Sequence, residues 1–225
     1  KATFILNSKK IIAEGGTFDW TSVGLDSSVR GTFKQFVFAS NRVAITAEGF
    51  DLQYPSKIDS TVEGLFKFLS TKHRGAKTAK YPRFISYNAD ISLKNICEGV
   101  KYTGGFSLEG QQIHSSCVSL AKSKIEVFGP KPTNITTTLI NDSISTPQSV
   151  VNNGPLVKLF EARATYFNLE DSIISSYPTS VRVYFGKDSI YHPAVRLKYN
   201  CSSKELSLNK NKSIYSKTPF VDSYH

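Results

Sequence analysis

Ser180-Val181-Arg182-Val183-Tyr184-Phe185 and Ala194-Val195-Arg196-Leu197-Lys198-Tyr199 decide the fold class of this chain. Successive side chains of an extended strand point to opposite faces. Val181, Val183 and Phe185 therefore share one flank and Arg182 and Tyr184 the other, while Val195, Leu197 and Tyr199 oppose Arg196 and Lys198. The intervening Gly186-Lys187-Asp188-Ser189 supplies turn residues. Flanks that alternate in this way must be covered together, which predicts a dry interior lined by Phe33, Val183, Phe185, Val195 and Leu197.

The same rhythm extends outward in both directions. Thr32 to Ala39 mixes aromatic and β-branched residues, Arg42 to Gly49 alternates and stops at glycine, and together they read as a hairpin about Ser40-Asn41. Phe4-Ile5-Leu6, Ile91 to Lys94, Lys124 to Phe128 and Leu156 to Phe160 are further short strands, each followed closely by turn-forming residues. From Val62 the apolar positions Val62, Leu65, Phe66 and Leu69 follow a helical spacing, but Gly64 and the Phe66/Phe68 alternation favour a strand. A loose echo of glycine followed by phenylalanine recurs at Gly16/Phe18, Gly31/Phe33, Gly49/Phe50, Gly64/Phe66 and Gly105/Phe106, as if an aromatic enters the core after each bend. Many short strands without long amphipathic helices predict an all-β, antiparallel architecture. It is either an elongated β-jellyroll or sandwich, or an irregular β-solenoid.

Gly129 to Pro155 is rich in Pro, Asn, Ser and Thr and has loop or linker composition. The expected division is a β-rich part over 1–128, a linker over 129–155 and a second β-rich part over 156–225 whose tail from Ser202 frays; one continuous β domain is the alternative. The chain contains no Met and opens on Lys1, which reads as a piece of a larger protein. No 18 apolar residues run together, so no helical membrane span is expected.

Hydrophobic residues make up 40% of the chain and aromatics 12%, which excludes an intrinsically disordered segment. The net charge of +10 fits an anionic partner, whether nucleic acid, a membrane surface, lipopolysaccharide or an acidic glycan, and does not choose between them. The densest cationic stretch holds Lys72, Arg74, Lys77, Lys80 and Arg83 without an acid, and reads either as a solvated loop or as an anion-contact loop. Lys80-Tyr81-Pro82-Arg83-Phe84 is a single interleaving of bases and aromatics, too little to favour nucleic acid. Cys97, Cys117 and Cys201 are too widely spaced for a short metal or redox motif. They read as buried small hydrophobes, with a Cys97–Cys117 bridge as the alternative.

Catalytic signatures are missing from the local sequence. There is no G-x-S-x-G elbow and no phosphate-cradling glycine loop, and His114 beside Ser115, Ser116 and Cys117, or His192 after Asp188 and Ser189, reads as a structural histidine. Glu109 and Glu161 stay open as carboxylates of a hydrolase, because such pairs need no fixed spacing. No enzyme activity, cofactor or metal is expected.

Several blocks carry a family resemblance: Phe18-Asp19-Trp20 with Gly24-Leu25, Tyr81-Pro82-Arg83-Phe84 with Ser86-Tyr87, Leu93-Lys94-Asn95-Ile96 leading to Tyr102-Thr103-Gly104-Gly105-Phe106-Ser107, and Lys187-Asp188-Ser189-Ile190-Tyr191-His192-Pro193. In this order they resemble a family of large uncharacterised bacterial cell-envelope proteins rich in β structure. More loosely, Ala162 to Asn200 is similar to OstA-like lipopolysaccharide-transport domains, which implies an open β-jellyroll with an apolar interior. The family has no established activity to carry over; alternation together with the absent motifs reads as a non-catalytic structural or interaction segment, which the resemblance places in a large exported bacterial protein. A lipid- or lipopolysaccharide-carrying jellyroll is a second expectation. A glycan-binding module, with Trp20 and the tyrosines of 166–199 as platforms, is a third.

Overall fold

Both deciding stretches are strands, each part of a longer element than its alternation alone marks out. The computed structural model describes residues 1–41, 43–70, 76–130, 155–170, 172–209 and 221–223. The first half of the chain forms β1 (Ala2–Ile5), β2 (Lys10–Glu14), β3 (Thr17–Asp19), β4 (Arg30–Thr32), β5 (Gln35–Ala39), β6 (Ala44–Gln53), β7 (Val62–Leu69), β8 (Arg83–Ser86) and β9 (Ile91–Leu93). The second half adds β10 (Val100–Gly104), β11 (Ser107–Glu109), β12 (Gln112–His114), β13 (Ser123–Pro130), β14 (Leu156–Ala164), β15 (Asn168–Leu169), β16 (Ile173–Phe185), β17 (Asp188–Asn200), β18 (Glu205–Asn209) and β19 (Val221–Ser223). The architecture is all-β, as expected, with no α-helix among the described residues. The strands pair antiparallel in one sheet that does not close on itself.

The sheet branches at β6, β16 and β17, and at β6 and β16 a break in register accompanies the change from one neighbour to the next. Along β6, Ala44 to Thr46 pair with β5, whereas Asp51 to Gln53 pair with β4. The β6–β7 register shifts between Ala47 and Phe50, and Gly49 there has φ +60, a left-handed conformation that glycine adopts without a Cβ penalty. Along β16, Ile174 and Ser175 pair with β15, and Ser180 to Val183 pair with β14. The break falls at Tyr177-Pro178, since proline has no N–H to give the ladder. One arm therefore runs β7–β8–β11–β12–β15–β16, and the other β9–β10–β13–β14–β16.

One apolar core joins residues from both ends of the chain, from Trp20 and Phe50 through Phe106 and Ile125 to Phe167, Val195 and Leu197. Its densest part is aromatic. Phe66 meets Trp20 edge-on at 5.7 Å and stacks on Phe50 at 4.7 Å, and Phe84 lies 6.1 Å from Phe106. Each ring removed from water contributes roughly 1.5–3 kcal/mol. Glycines make this density possible. A Cβ on Gly31 would overlap the ring of Phe50, and one on Gly64 would sit 2.6 Å from Phe84 Cζ.

Several expectations need correction. Phe33, Val195 and Leu197 are buried and Val183 is half-buried, but Phe185 ends β16 beside the turn at Gly186 and is 56% exposed. Thr32 to Ala39 is two strands, interrupted where Phe33 leaves β4 to enter the core. Of the segment from Ser202, expected to fray, Glu205–Asn209 form β18 and pair with Arg196 to Asn200 of β17, while residues 210–220 and 224–225 lie outside the described residues. Cys97 is bonded to Cys201 with a Cα–Cα separation of 5.7 Å, and Cys117 is the free, buried thiol. The Cys97–Cys117 alternative fails because Cys117 packs beside Gly105 and bridges Ser86, on the β8–β11 arm. Residues 131–154, within the expected linker, lie outside the described residues; the strands that flank them pair directly, Pro130 opposite Leu156.

Candidate functional site

The cationic stretch divides. Lys72 and Arg74 lie outside the described residues. Lys77 sits in a single 3-10 turn (Ala76–Thr78) and Lys80 follows it, both exposed. Arg83 lies on β8 directly across from Glu109 on β11, with its Nε 2.9 Å from Glu109 Oε1, so its charge is already matched.

Lys77 lines a cleft of about 480 Å³ that opens into one end of the core. Its floor is apolar and comes from distant parts of the chain: Leu25, Tyr54 after β6, Leu93 on β9, Ile96, Ile113 on β12 and Leu169 on β15. Ile113 and Leu169 are brought side by side by the β12–β15 register. The mouth is polar, with Lys57 and Lys77, Gln111, Gln112 and Glu170. Hydrogen bonds fix this rim: Gln112 Nε2 donates to the Lys77 carbonyl at 3.2 Å, Gln111 Nε2 to the Val23 carbonyl at 2.6 Å, and Lys57 Nζ to the Asn95 carbonyl at 2.6 Å. Glu170 accepts from Asn168 Nδ2 at 2.7 Å. Among the described residues, neither the Lys57 nor the Lys77 ammonium has a carboxylate within ion-pair distance. The arrangement can hold an apolar group below and present two cations to an anionic group at the surface. Its volume lies within the usual range for small-ligand sites.

A second polar group lies on the opposite face of the same arm. His114 on β12 is buried beneath Tyr166, with the rings stacked at 5.2 Å and Tyr166 Oη 2.7 Å from His114 Nδ1. Burial holds the imidazole below its ordinary range, against smaller upward pulls from Glu109 and Asn168. Burial likewise raises the Tyr166 phenol, with the Glu109 charge adding to it. The residues beside His114 in sequence have other work: Ser115 Oγ accepts from the Phe167 amide at 2.8 Å, and Ser116 Oγ donates to Ser107 Oγ at 2.8 Å. His192 is buried, and its Nδ1 accepts from the Ala194 amide at 3.1 Å. Glu161 lies 3.3 Å from Lys158, which also binds Glu126. Trp20, expected as an exposed glycan platform, is wholly buried, because its ring packs among Phe18, Phe50 and Phe66.

Fold and site together define an all-β protein with an amphipathic cleft at one end of an open antiparallel sheet. Comparisons with family models, with curated proteins and with solved structures found no match.

Proposed function

We propose that this chain is a non-catalytic binding module of an exported bacterial envelope protein, and that its cleft takes an amphipathic anion such as a lipid or lipopolysaccharide fragment. The observation that carries this reading is the pairing of a floor built by Tyr54, Leu93, Ile96, Ile113 and Leu169 with the ammonium groups of Lys57 and Lys77 at the mouth. An acyl chain is driven onto such a floor by the hydrophobic effect. A phosphate or carboxylate at the rim gains charge-assisted hydrogen bonds from the lysines. The Cys97–Cys201 bond supports an oxidising compartment outside the cytoplasm. A core shared by both ends of the chain supports a jellyroll-like arrangement over a solenoid, whose repeats would contact only their neighbours.

Native mass spectrometry of the full chain with a lysophosphatidylglycerol tests the reading. The expected result is a one-to-one adduct that Lys57→Gln/Lys77→Gln weakens at least about tenfold, the loss expected when charged hydrogen bonds are removed. Absence of an adduct, or equal affinity in the double variant, would reject it.

A further inference from the structure

The core face of the sheet does not stop where the core stops. Across β1, β2, β5, β6 and β7 the register aligns Phe4, Ile11, Phe38, Ile45 and Phe68 in one row. Directly opposed residues of antiparallel strands share a face, so this is a continuous apolar ladder. Ile45 and Phe68 pack against the core, while Phe4 at the far end is 52% exposed.

The turns of this ribbon gather at one end. The Lys9 carbonyl accepts from the Ser40 amide at 3.1 Å, and the Val43 carbonyl from the Ser70 amide at 3.1 Å. Four large apolar side chains stand exposed at or next to this end: Phe4, Ile5 at 40%, Leu6 at 76% and Val43 at 49%. Val43 also has φ +46, a left-handed conformation that a β-branched residue adopts only at a cost. Strain of this kind, kept in order to point an apolar side chain at solvent, needs a use. The charge around the tip has one sign. Among the described residues of its turns, 6–10 and 39–44, stand Lys9 and Lys10 and no Asp or Glu.

We infer that the end of this ribbon is a membrane-docking tip, which seats Leu6 and Val43 at the acyl boundary of an anionic bilayer while Lys9 and Lys10 meet its phosphate groups. Charge complementarity selects this occupant over a second copy of the chain, which would bring Lys9 and Lys10 against their own like. Docking is shallow, because the outer edge of β1 pairs with nothing else among the described residues and its backbone groups must keep contact with water or head groups. This surface is separate from the cleft.

Co-sedimentation of the full chain with vesicles of equal parts phosphatidylglycerol and phosphatidylcholine tests the inference. The chain should pellet with these vesicles, should stay in solution with pure phosphatidylcholine, and should be released by high salt. Lys9→Gln/Lys10→Gln should weaken binding about 30-fold, at the usual contribution per basic residue near an anionic surface. Val43→Asn should abolish or strongly reduce binding while the urea midpoint holds or rises, since Asn tolerates the left-handed conformation. Lys57→Gln/Lys77→Gln should pellet like the parent chain, which keeps this outcome independent of the cleft. The inference is overturned if the parent chain stays in the supernatant or if the tip variants bind as it does. It is equally overturned if vesicle binding follows Lys57 and Lys77, or if the parent chain is a dimer that Val43→Asn dissociates.

Discussion

Gly31 and Gly64 have no side chain because phenyl rings of neighbouring strands occupy that volume. In Gly31→Ala the new methyl would overlap Phe50 and the Asp51 carbonyl. Overpacking of this kind costs about 1–3 kcal/mol, and urea unfolding should show the midpoint falling accordingly; an unchanged midpoint would mean that Phe50 has room to move. His114 makes a pH-dependent contribution with a definite sign. Its folded pKa lies below the ordinary value of 6.5 because burial disfavours the cation. The unfolded chain therefore binds more protons once the pH drops below 6.5, and stability is lost from there down toward the lowered folded value. His114→Gln should flatten the fall in urea midpoint between about pH 7 and pH 5.5; an identical slope in the variant would assign that fall to other groups. The glycine–phenylalanine echo was legible in the sequence, but its meaning was not. Gly31 makes room for Phe50 and Gly64 for Phe84, not for the phenylalanine that follows each glycine, and only the strand register reveals the partner.

At the scale of elements, alternation read from a few residues located most strands and misjudged their length. Alternation marks out two six-residue stretches, but β16 and β17 run on through Pro178 and Pro193. Both lie inside the strands, where the β16–β17 register shifts between Ser176 and Thr179 and again between Thr179 and Val181. A bulge absorbs the missing N–H, and the ladder resumes. Phe185 shows the complementary error: its parity places it with Val181 and Val183, but strand parity says nothing of where the cover ends. For β7 the helical spacing lost to alternation, because Phe66 and Phe68 share the face that carries the aromatic core. The cleft was almost invisible in the sequence. Of its lining only Lys77 stands among the candidate contact residues of the sequence; Leu93 and Ile113 belong to separate arms, and Tyr54 and Leu169 are more than a hundred residues apart. No local pattern can announce such a meeting, since pairing across the sheet creates it.

For the molecule as a whole, the Cys97–Cys201 bond spans a sequence separation of 104 residues, and Lys204 holds Glu98 beside it at 3.1 Å. Closing so long a loop removes much of the freedom of the unfolded chain. The expected loss of stability on Cys97→Ala/Cys201→Ala is about 2–5 kcal/mol, measurable as a lower urea midpoint that reductant brings about in the parent chain but does not deepen in the variant. Equal midpoints for the two chains would show that the core and the sheet alone set stability. The bond has a mechanical consequence as well. Were the chain pulled from its two termini, the covalent path would run from residue 97 straight to residue 201, and the strands between them would carry no load. At about 3.4 Å per residue, roughly 350 Å of slack stays locked away. Only the outer stretches can pay out under tension, so the side of the cleft at Leu25, Tyr54 and Leu93 gives way while Ile113 and Leu169 stay within the closed loop.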